Sequence, residues 1–310
     1  MAVEGRFLQT IAPYYDAWMD WDRRLAEEIP FLEQGLPTRG PVSILDAACG
    51  TGHRVRALAD RGYEVIGADG ESTLVDRARE LYGDIEVYPV SLAELTRAAK
   101  PGSMNLVVCG GNAAVLGRSR AELEQALSRM FDVLAPGGRL VMEMDNLAKV
   151  VRRKLRFLPL RQGRPADGAG EWLLLGEYEW NGTGILYHLL VFRRGSGGEW
   201  TMNVHSSEVL SLEHSDLVPM LRETGFNDIR LYSDYVGGEF LPLEKRQPTV
   251  WPPDCSGAAG CSWDQMKGVV HPAASGRRVV RAAFQGRCGW RWTGKYRCPP
   301  GTRWMWFFTG

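Results

Sequence analysis

Over the first 145 residues, short apolar runs alternate with stretches whose apolar positions recur every three to four residues. Tyr14, Trp18, Trp21 and Leu25 follow that helical spacing and predict an amphipathic helix near the start. Residues 42–47 then read as a buried strand, 53–61 as a helix, 64–68 as a strand and 72–82 as a helix capped by Ser72. Strands follow at 85–90 and 105–109. A helix over 119–134 stops at Pro136-Gly137-Gly138, and 139–144 reads as a fifth strand. Strands joined by helical crossovers run parallel, so the expected fold is an α/β, doubly wound, mostly parallel sheet of Rossmann-like type.

The pattern changes after Asn146. Residues 147–170 are basic and then Gly-rich, a connection. Residues 177–193 and 199–212 read as β-rich, around the turn residues Asn181-Gly182 and Gly195 to Gly198. A helix over 215–224 closes at Gly225, and 229–235 reads as a further strand. An insertion between the fifth strand and the last helix lies above the carboxyl edge of the sheet, where doubly wound folds bind ligands. It reads as a lid. The expected organisation is a helical cap (1–40), a cofactor-binding core (41–146), the lid (147–212), the end of the core (213–240) and a tail (241–310).

Composition changes this picture only at the far end. Apolar residues make up 45% of the 310 and charged residues 24%, as in ordinary globular proteins. No basic start leads into an apolar run, and no stretch approaches the roughly 18 apolar residues of a membrane span, so the expectation is a cytoplasmic protein with reduced thiols. The charges are unevenly placed: residues 251–310 carry nine Lys and Arg against two Asp, a net of +7, and the rest of the chain carries −7. The same sixty residues hold six of the eleven Trp and four of the six Cys. An altered reading frame of low order, a basic aromatic nucleic-acid arm, and zinc bound by Cys255, Cys261, Cys288 and Cys298 all address that composition. The cysteine spacings lack the close pairs typical of zinc sites.

The chemistry is concentrated in Asp46-Ala-Ala-Cys-Gly-Thr-Gly52, which follows a strand and opens a helix. Gly50 and Gly52 permit a tight turn and close approach of a ligand to backbone. A dinucleotide site would want a third glycine where Val55 stands, and would not call for Asp46 at the strand end. Asp69 ends the second strand, where a carboxylate can accept hydrogen bonds from both hydroxyls of a ribose or can cap the next helix. Cys49 reads as a small residue fitted into the loop.

From about residue 10 to 240 the chain resembles class I S-adenosylmethionine-dependent methyltransferases, whose loop pattern Asp46, Ala48, Gly50 and Gly52 reproduce. The resemblance implies S-adenosylmethionine as cofactor and S-adenosylhomocysteine as product, with Gly70 beside Asp69, Ser91 and Leu92 flanking the adenine, and Gly110 lining the methionine portion. No acidic residue adjoins Ser91 to receive the adenine amino group. Gly111-Asn112, Leu134-Ala-Pro-Gly-Gly138, the lid and Leu221-Arg-Glu-Thr-Gly-Phe226 resemble small-molecule N-methyltransferases of the glycine/sarcosine and aminosugar types. Paired tyrosines such as Tyr14 and Tyr15 recur near the N-terminus of relatives, and here cover the cofactor or act as core aromatics.

The expected function is methyl transfer to a small-molecule acceptor, an amine nitrogen in the first instance. Where glycine-type enzymes end the fifth strand in Arg-Asn, this chain has Asp145-Asn146, and an anion there repels a carboxylate substrate and favours an amine or sugar hydroxyl. Asn112, Tyr15, Asp145 and Asn146 are the expected acceptor contacts. His205 in the lid, with Tyr14 and Asp145, is the candidate for moving a proton; a histidine satisfied within the sheet is the plainer alternative. Asp-Asn also ends the fifth strand of Mg²⁺-dependent O-methyltransferases, but those need an acid after the fourth strand, where Cys109-Gly110-Gly111 stands, so no metal is assigned. A protein that binds the cofactor without catalysing is the other alternative, because a closing strand could be sought only at 277–284, too far for a hairpin. The run Cys109-Gly-Gly-Asn112 speaks against nucleic-acid acceptors. The remaining partner expectations are no membrane and self-association as a homodimer.

Overall fold

A computed structural model describes residues 14–16, 19–147, 150, 154–163, 170–180, 184–195, 197–235 and 237, and the backbone of 303–309. Asp20 caps α1 (Trp21–Glu33) by accepting the Arg23 N–H, so the helix starts there instead of running on from Tyr14. The parallel sheet follows: β1 (Ser43–Asp46), α2 (His53–Ala59), β2 (Glu64–Asp69), α3 (Ser72–Leu81), β3 (Glu86–Pro89), β4 (Met104–Cys109), α4 (Arg120–Val133) and β5 (Leu134–Asp145). Glu71 caps α3 through the Thr73 N–H, a role the sequence assigned to Ser72. Ser119 and Glu122 close a capping box on α4.

The segment expected to act as a lid contains a separate antiparallel sheet in the order β6 (Arg161–Gly163), β7 (Glu171–Trp180), β8 (Ile185–Arg194) and β9 (Trp200–Val209). Then come α5 (His214–Thr224), ended by Gly225 at φ 115°, and β10 (Asn227–Tyr232). The main sheet runs β10-β11-β5-β4-β1-β2-β3, with β1 to β5 parallel. Its closing strand β11 is Arg303–Thr309, antiparallel to both β5 and β10. The sequence candidate for that strand, 277–284, lies outside the described residues, as do the four tail cysteines. The sheet therefore closes with a strand drawn from the end of the chain, some seventy residues after β10.

Successive residues of each central strand feed opposite faces. Leu45, Val107 and Leu140 join α4 and α5 residues on one face; Ile44, Leu106, Val108 and Val141 pack with Ile29, Phe31 and Leu58 of α1 and α2 on the other. Connections leave β1 and β4 in opposite directions, which puts the switch point where doubly wound sheets bind ligands at their carboxyl ends, by Asp46 and Gly110.

Candidate cofactor and acceptor site

At the end of β1 the chain turns through Gly50 (φ 54°) and Gly52 (φ 81°), left-handed conformations that L-residues adopt at a cost. A Cβ on Gly52 would meet Ile85 Cδ1 at 2.7 Å and Ala78 Cβ at 3.0 Å, so a side chain there adds crowding to the strain of its positive φ. Cys49 N–H bonds Ala68 O at 3.0 Å and so anchors the loop to β2. Cys49 itself is buried, and burial pushes its thiol well above the usual range, as fits a packing role.

Asp69 reaches back over this loop. Its Oδ2 accepts Gly50 N–H and its Oδ1 accepts Glu71 N–H, each at 2.9 Å. Burial lifts the carboxyl to about 6 even though both backbone donors pull it down. Since Glu71 is the cap of α3, Asp69 is left facing the loop. Gly70 and Ser91 adjoin, a Cβ on Gly70 lying 3.5 Å from Ser91 Cα, and Leu92 beneath is 3% exposed. Ser91 Oγ donates to Glu94 at 3.0 Å, so an acidic side chain does adjoin Ser91, one turn further along the chain than the sequence reading looked.

Below the loop lies a buried charge network that the sequence reading missed. Asp46 Oδ1 accepts from Arg54 at 2.8 Å and, more distantly, from Ala48 N–H at 3.4 Å. Glu28 takes Arg54 Nε on one oxygen at 2.8 Å and Arg24 Nε on the other at 3.0 Å. Arg24 Nη2 also pairs with Glu143, which accepts Tyr235 O–H at 2.9 Å. Gly110 has to be small, because a Cβ there would meet Arg54 Nη2 at 2.6 Å. Among the described residues three buried side-chain atoms have no hydrogen-bond partner: Trp21 Nε1 and, within this network, the donor Arg24 Nη1 and the acceptor Asp46 Oδ2. One unmet donor and one unmet acceptor near Gly110 are what the carboxylate and ammonium of an amino-acid group would satisfy.

Tyr14 and Tyr15 point to different places. The Tyr15 ring stands 3.1 Å from a Cβ on Gly50 and its hydroxyl 3.8 Å from one on Gly111, so it covers the glycine loop; burial pushes it to about 12 and keeps it protonated. Tyr14 instead packs with Trp172, Leu174, Leu189 and Val191 of the lid, under the Arg193 guanidinium. Asp16 ties this segment down by accepting from Thr51 Oγ1 at 2.5 Å and meeting His53 Nε2 at 3.1 Å.

At the end of β5, Asp145 N–H donates to Asn112 Oδ1 at 2.5 Å, and Asp145 Oδ2 accepts Asn112 Nδ2 at 2.8 Å. Asn112 adopts φ 67°, a strain this two-way pairing offsets. Tyr178 of the lid donates to the same Oδ2 at 2.7 Å, leaving Oδ1 without a hydrogen bond among the described residues. Asn146 follows at the strand end and accepts Val150 N–H through its carbonyl. His205 pairs across the sheet with Leu189, on the lid face that also carries Tyr178 and Tyr187. No hydrogen bond to its ring is present among the described residues, and burial holds its pKa below the ordinary value. Of the two lid histidines on β8 and β9, it is His188 that the sheet satisfies, through Ser206 and Glu179. Among the described residues no cluster of three or more His, Cys, Asp or Glu is placed to hold a metal, and no helix is long and apolar enough to cross a membrane.

Residues 44–138, which span the loop, Asp69 and β4, match the family model of the methyltransferase domain. The chain carries a class I S-adenosylmethionine-dependent methyltransferase domain. The chain is 29% identical over 140 residues to the glycine/sarcosine N-methyltransferase of Halorhodospira halochloris, a match covering 43% of this chain and 52% of that one. It is 25% identical over 236 residues to the protein of the same name from Parasynechococcus marenigrum, covering 75% and 79%. The match thus spans about half the length of the first relative and most of the second. Its fold is shared with the sugar N-methyltransferase KedS8 from a Streptoalloteichus species, at a TM-score of 0.55 and 15% identity over 73% of this chain and 86% of that one. S-adenosylmethionine is the cofactor, and the orphaned Arg24 and Asp46 atoms, the Gly110 clearance and the Asp69 carboxylate fit it.

Proposed function

We propose that this enzyme methylates an amine nitrogen of a small molecule. The observation that supports this reading is Asp145, a carboxylate held by Asn112 and Tyr178 at the sheet edge beneath the lid, with Oδ1 still open to a cation. The relatives named above are N-methyltransferases, and an anion at this place disfavours an acceptor carboxylate.

When bound, the cofactor supplies an activated methyl group on a sulfonium. The protein's task is then to hold a nucleophile in line with it and keep water out. Asp69 would hold the ribose hydroxyls, Arg24 Nη1 the carboxylate and Asp46 Oδ2 the ammonium of the amino-acid end, while Tyr15 covers the loop. Asp145 orients the acceptor as its ammonium form. The uncharged His205 imidazole takes the proton that the nitrogen must shed to expose its lone pair. Asn112 and Tyr178 fix Asp145, and Tyr178 makes the lid part of that arrangement.

A panel of primary and secondary amines, amino sugars, alcohols and amino acids, assayed for S-adenosylhomocysteine formation, tests the proposal. Amines without an adjacent carboxylate are expected to turn over, and Asp145→Asn to raise their KM by about tenfold or more with the affinity for S-adenosylhomocysteine unchanged. Preferential turnover of alcohols, or an unaltered KM in Asp145→Asn, would defeat it.

A further inference from the structure

The network below the glycine loop is unbalanced in charge. Arg24 and Arg54 face Glu28, Asp46 and Glu143, and all five are buried, the most exposed being Arg24 at 9%. Among the described residues that is one carboxylate more than guanidinium groups. The three acids do not share the deficit equally. Glu28 has a guanidinium on each oxygen, and Glu143 Oε2 accepts from Arg24, Tyr235 and, at 3.3 Å, Gly111 N–H. Asp46 alone keeps a buried oxygen, Oδ2, with no partner. A buried anion lacking compensation costs several kcal/mol, and a carboxylic acid relieves that cost by taking up a proton.

We propose that this network carries one proton, seated on Asp46 Oδ2, when the cofactor site is empty, and releases it to solvent when the cofactor's ammonium group arrives. The proposal rests on Asp46 contacting the amino-acid end of the cofactor. In the exchange the Asp46 O–H bond breaks, the proton passes to buffer, and the carboxylate formed accepts an N–H of the ammonium; nothing is oxidised or reduced. At Oδ2 itself one positive group replaces another, while the cofactor's carboxylate arrives together with the ammonium and meets the otherwise unmet donor Arg24 Nη1. The groups around Asp46 agree with this. Burial raises its pKa, Arg54 opposes that, and Glu28 adds to it. Asp69 lies near enough to interact, while Tyr15, Cys49 and Cys109 are all pushed upward by burial and stay neutral. Because the sites are coupled, the proton belongs to the cluster, with Oδ2 as its seat.

Titration calorimetry of the full chain in buffers of different ionisation enthalpy counts the protons released on binding. Two ligands separate the sources. S-adenosylhomocysteine carries the ammonium, whereas 5′-methylthioadenosine keeps the adenine and ribose, hence the Asp69 contact, and lacks the amino-acid end. Across a pH series from about 5 to 8, S-adenosylhomocysteine is expected to release about half a proton or more beyond the count for methylthioadenosine at the maximum, and Asp46→Asn to abolish that excess. Equal counts for the two ligands, or an excess that survives in Asp46→Asn, would overturn the proposal. If Asp46→Asn does not fold, the comparison of ligands on the unaltered chain decides alone. Absence of any S-adenosylhomocysteine binding would remove the cofactor contacts themselves, and the inference with them.

Discussion

At Asp69 two backbone N–H groups favour the charged form, yet burial outweighs them and the carboxyl rises to about 6. A folded-state value above the ordinary 3.8 means that the folded chain binds this proton more tightly than the unfolded one. The stabilisation is therefore complete below 3.8 and is lost as pH rises through about 6. Thermal melting of the ligand-free protein should accordingly show Asp69→Asn gaining on the original chain between those pH values; a stability difference that stays flat across the window contradicts the burial argument. Asp46 and Asp69 could be found in the sequence because each ends an apolar strand at a set distance from the glycine loop. Arg24, Glu28 and Glu143 could not, since Arg24 and Glu143 are 119 residues apart and no spacing links them. Their only local mark is a charge where burial is expected: Arg24 and Glu28 on the inner side of α1, and Glu143 inside the apolar run Leu140-Val-Met-Glu-Met144.

The elements show how a short motif carries so much of the site. Gly52 must hold φ 81° with Ile85 and Ala78 pressed against the place of a Cβ, while nothing lies within 4 Å of the corresponding place at Gly83. Gly52→Ala should cost about 1–3 kcal/mol and weaken cofactor binding, whereas Gly83→Ala should stay within about 0.5 kcal/mol of the original in chemical denaturation. Equal effects of the two would mean that the loop is not under the constraint described. Helix and strand positions along the parallel core were legible because periodicity and glycine stops agree there. The start of α1 was not, because the Asp20 cap interrupts an apolar stripe that continues in sequence across it. Tyr14 and Tyr15 show the same limit, since adjacent residues on a helical turn face different surfaces, and only the placed lid reveals which faces the loop.

For the whole molecule, the α/β architecture and a β-rich insertion between β5 and α5 followed from the order of elements, but the closing strand did not. Arg303–Thr309 is the aromatic run Arg-Trp-Met-Trp-Phe-Phe-Thr, a plausible strand by composition, set at the end of a segment whose Gly, Pro and Cys content hides it. It pairs with both β5 and β10, so its removal exposes two strand edges at once, one of them leading to Asp145. Truncation before residue 303 should lower the melting temperature by on the order of 10 °C or abolish cooperative melting. A truncated chain that melts like the full one would show that the sheet closes without this strand.

The account turns on the cofactor site, and calorimetric titration of S-adenosylmethionine into the full chain and into Asp69→Ala tests it most directly. Binding by the full chain, weakened about tenfold or more in Asp69→Ala through loss of the charged acceptor of the ribose hydroxyls, is the predicted result. No binding by the full chain, or an affinity that Asp69→Ala leaves unchanged, would contradict it.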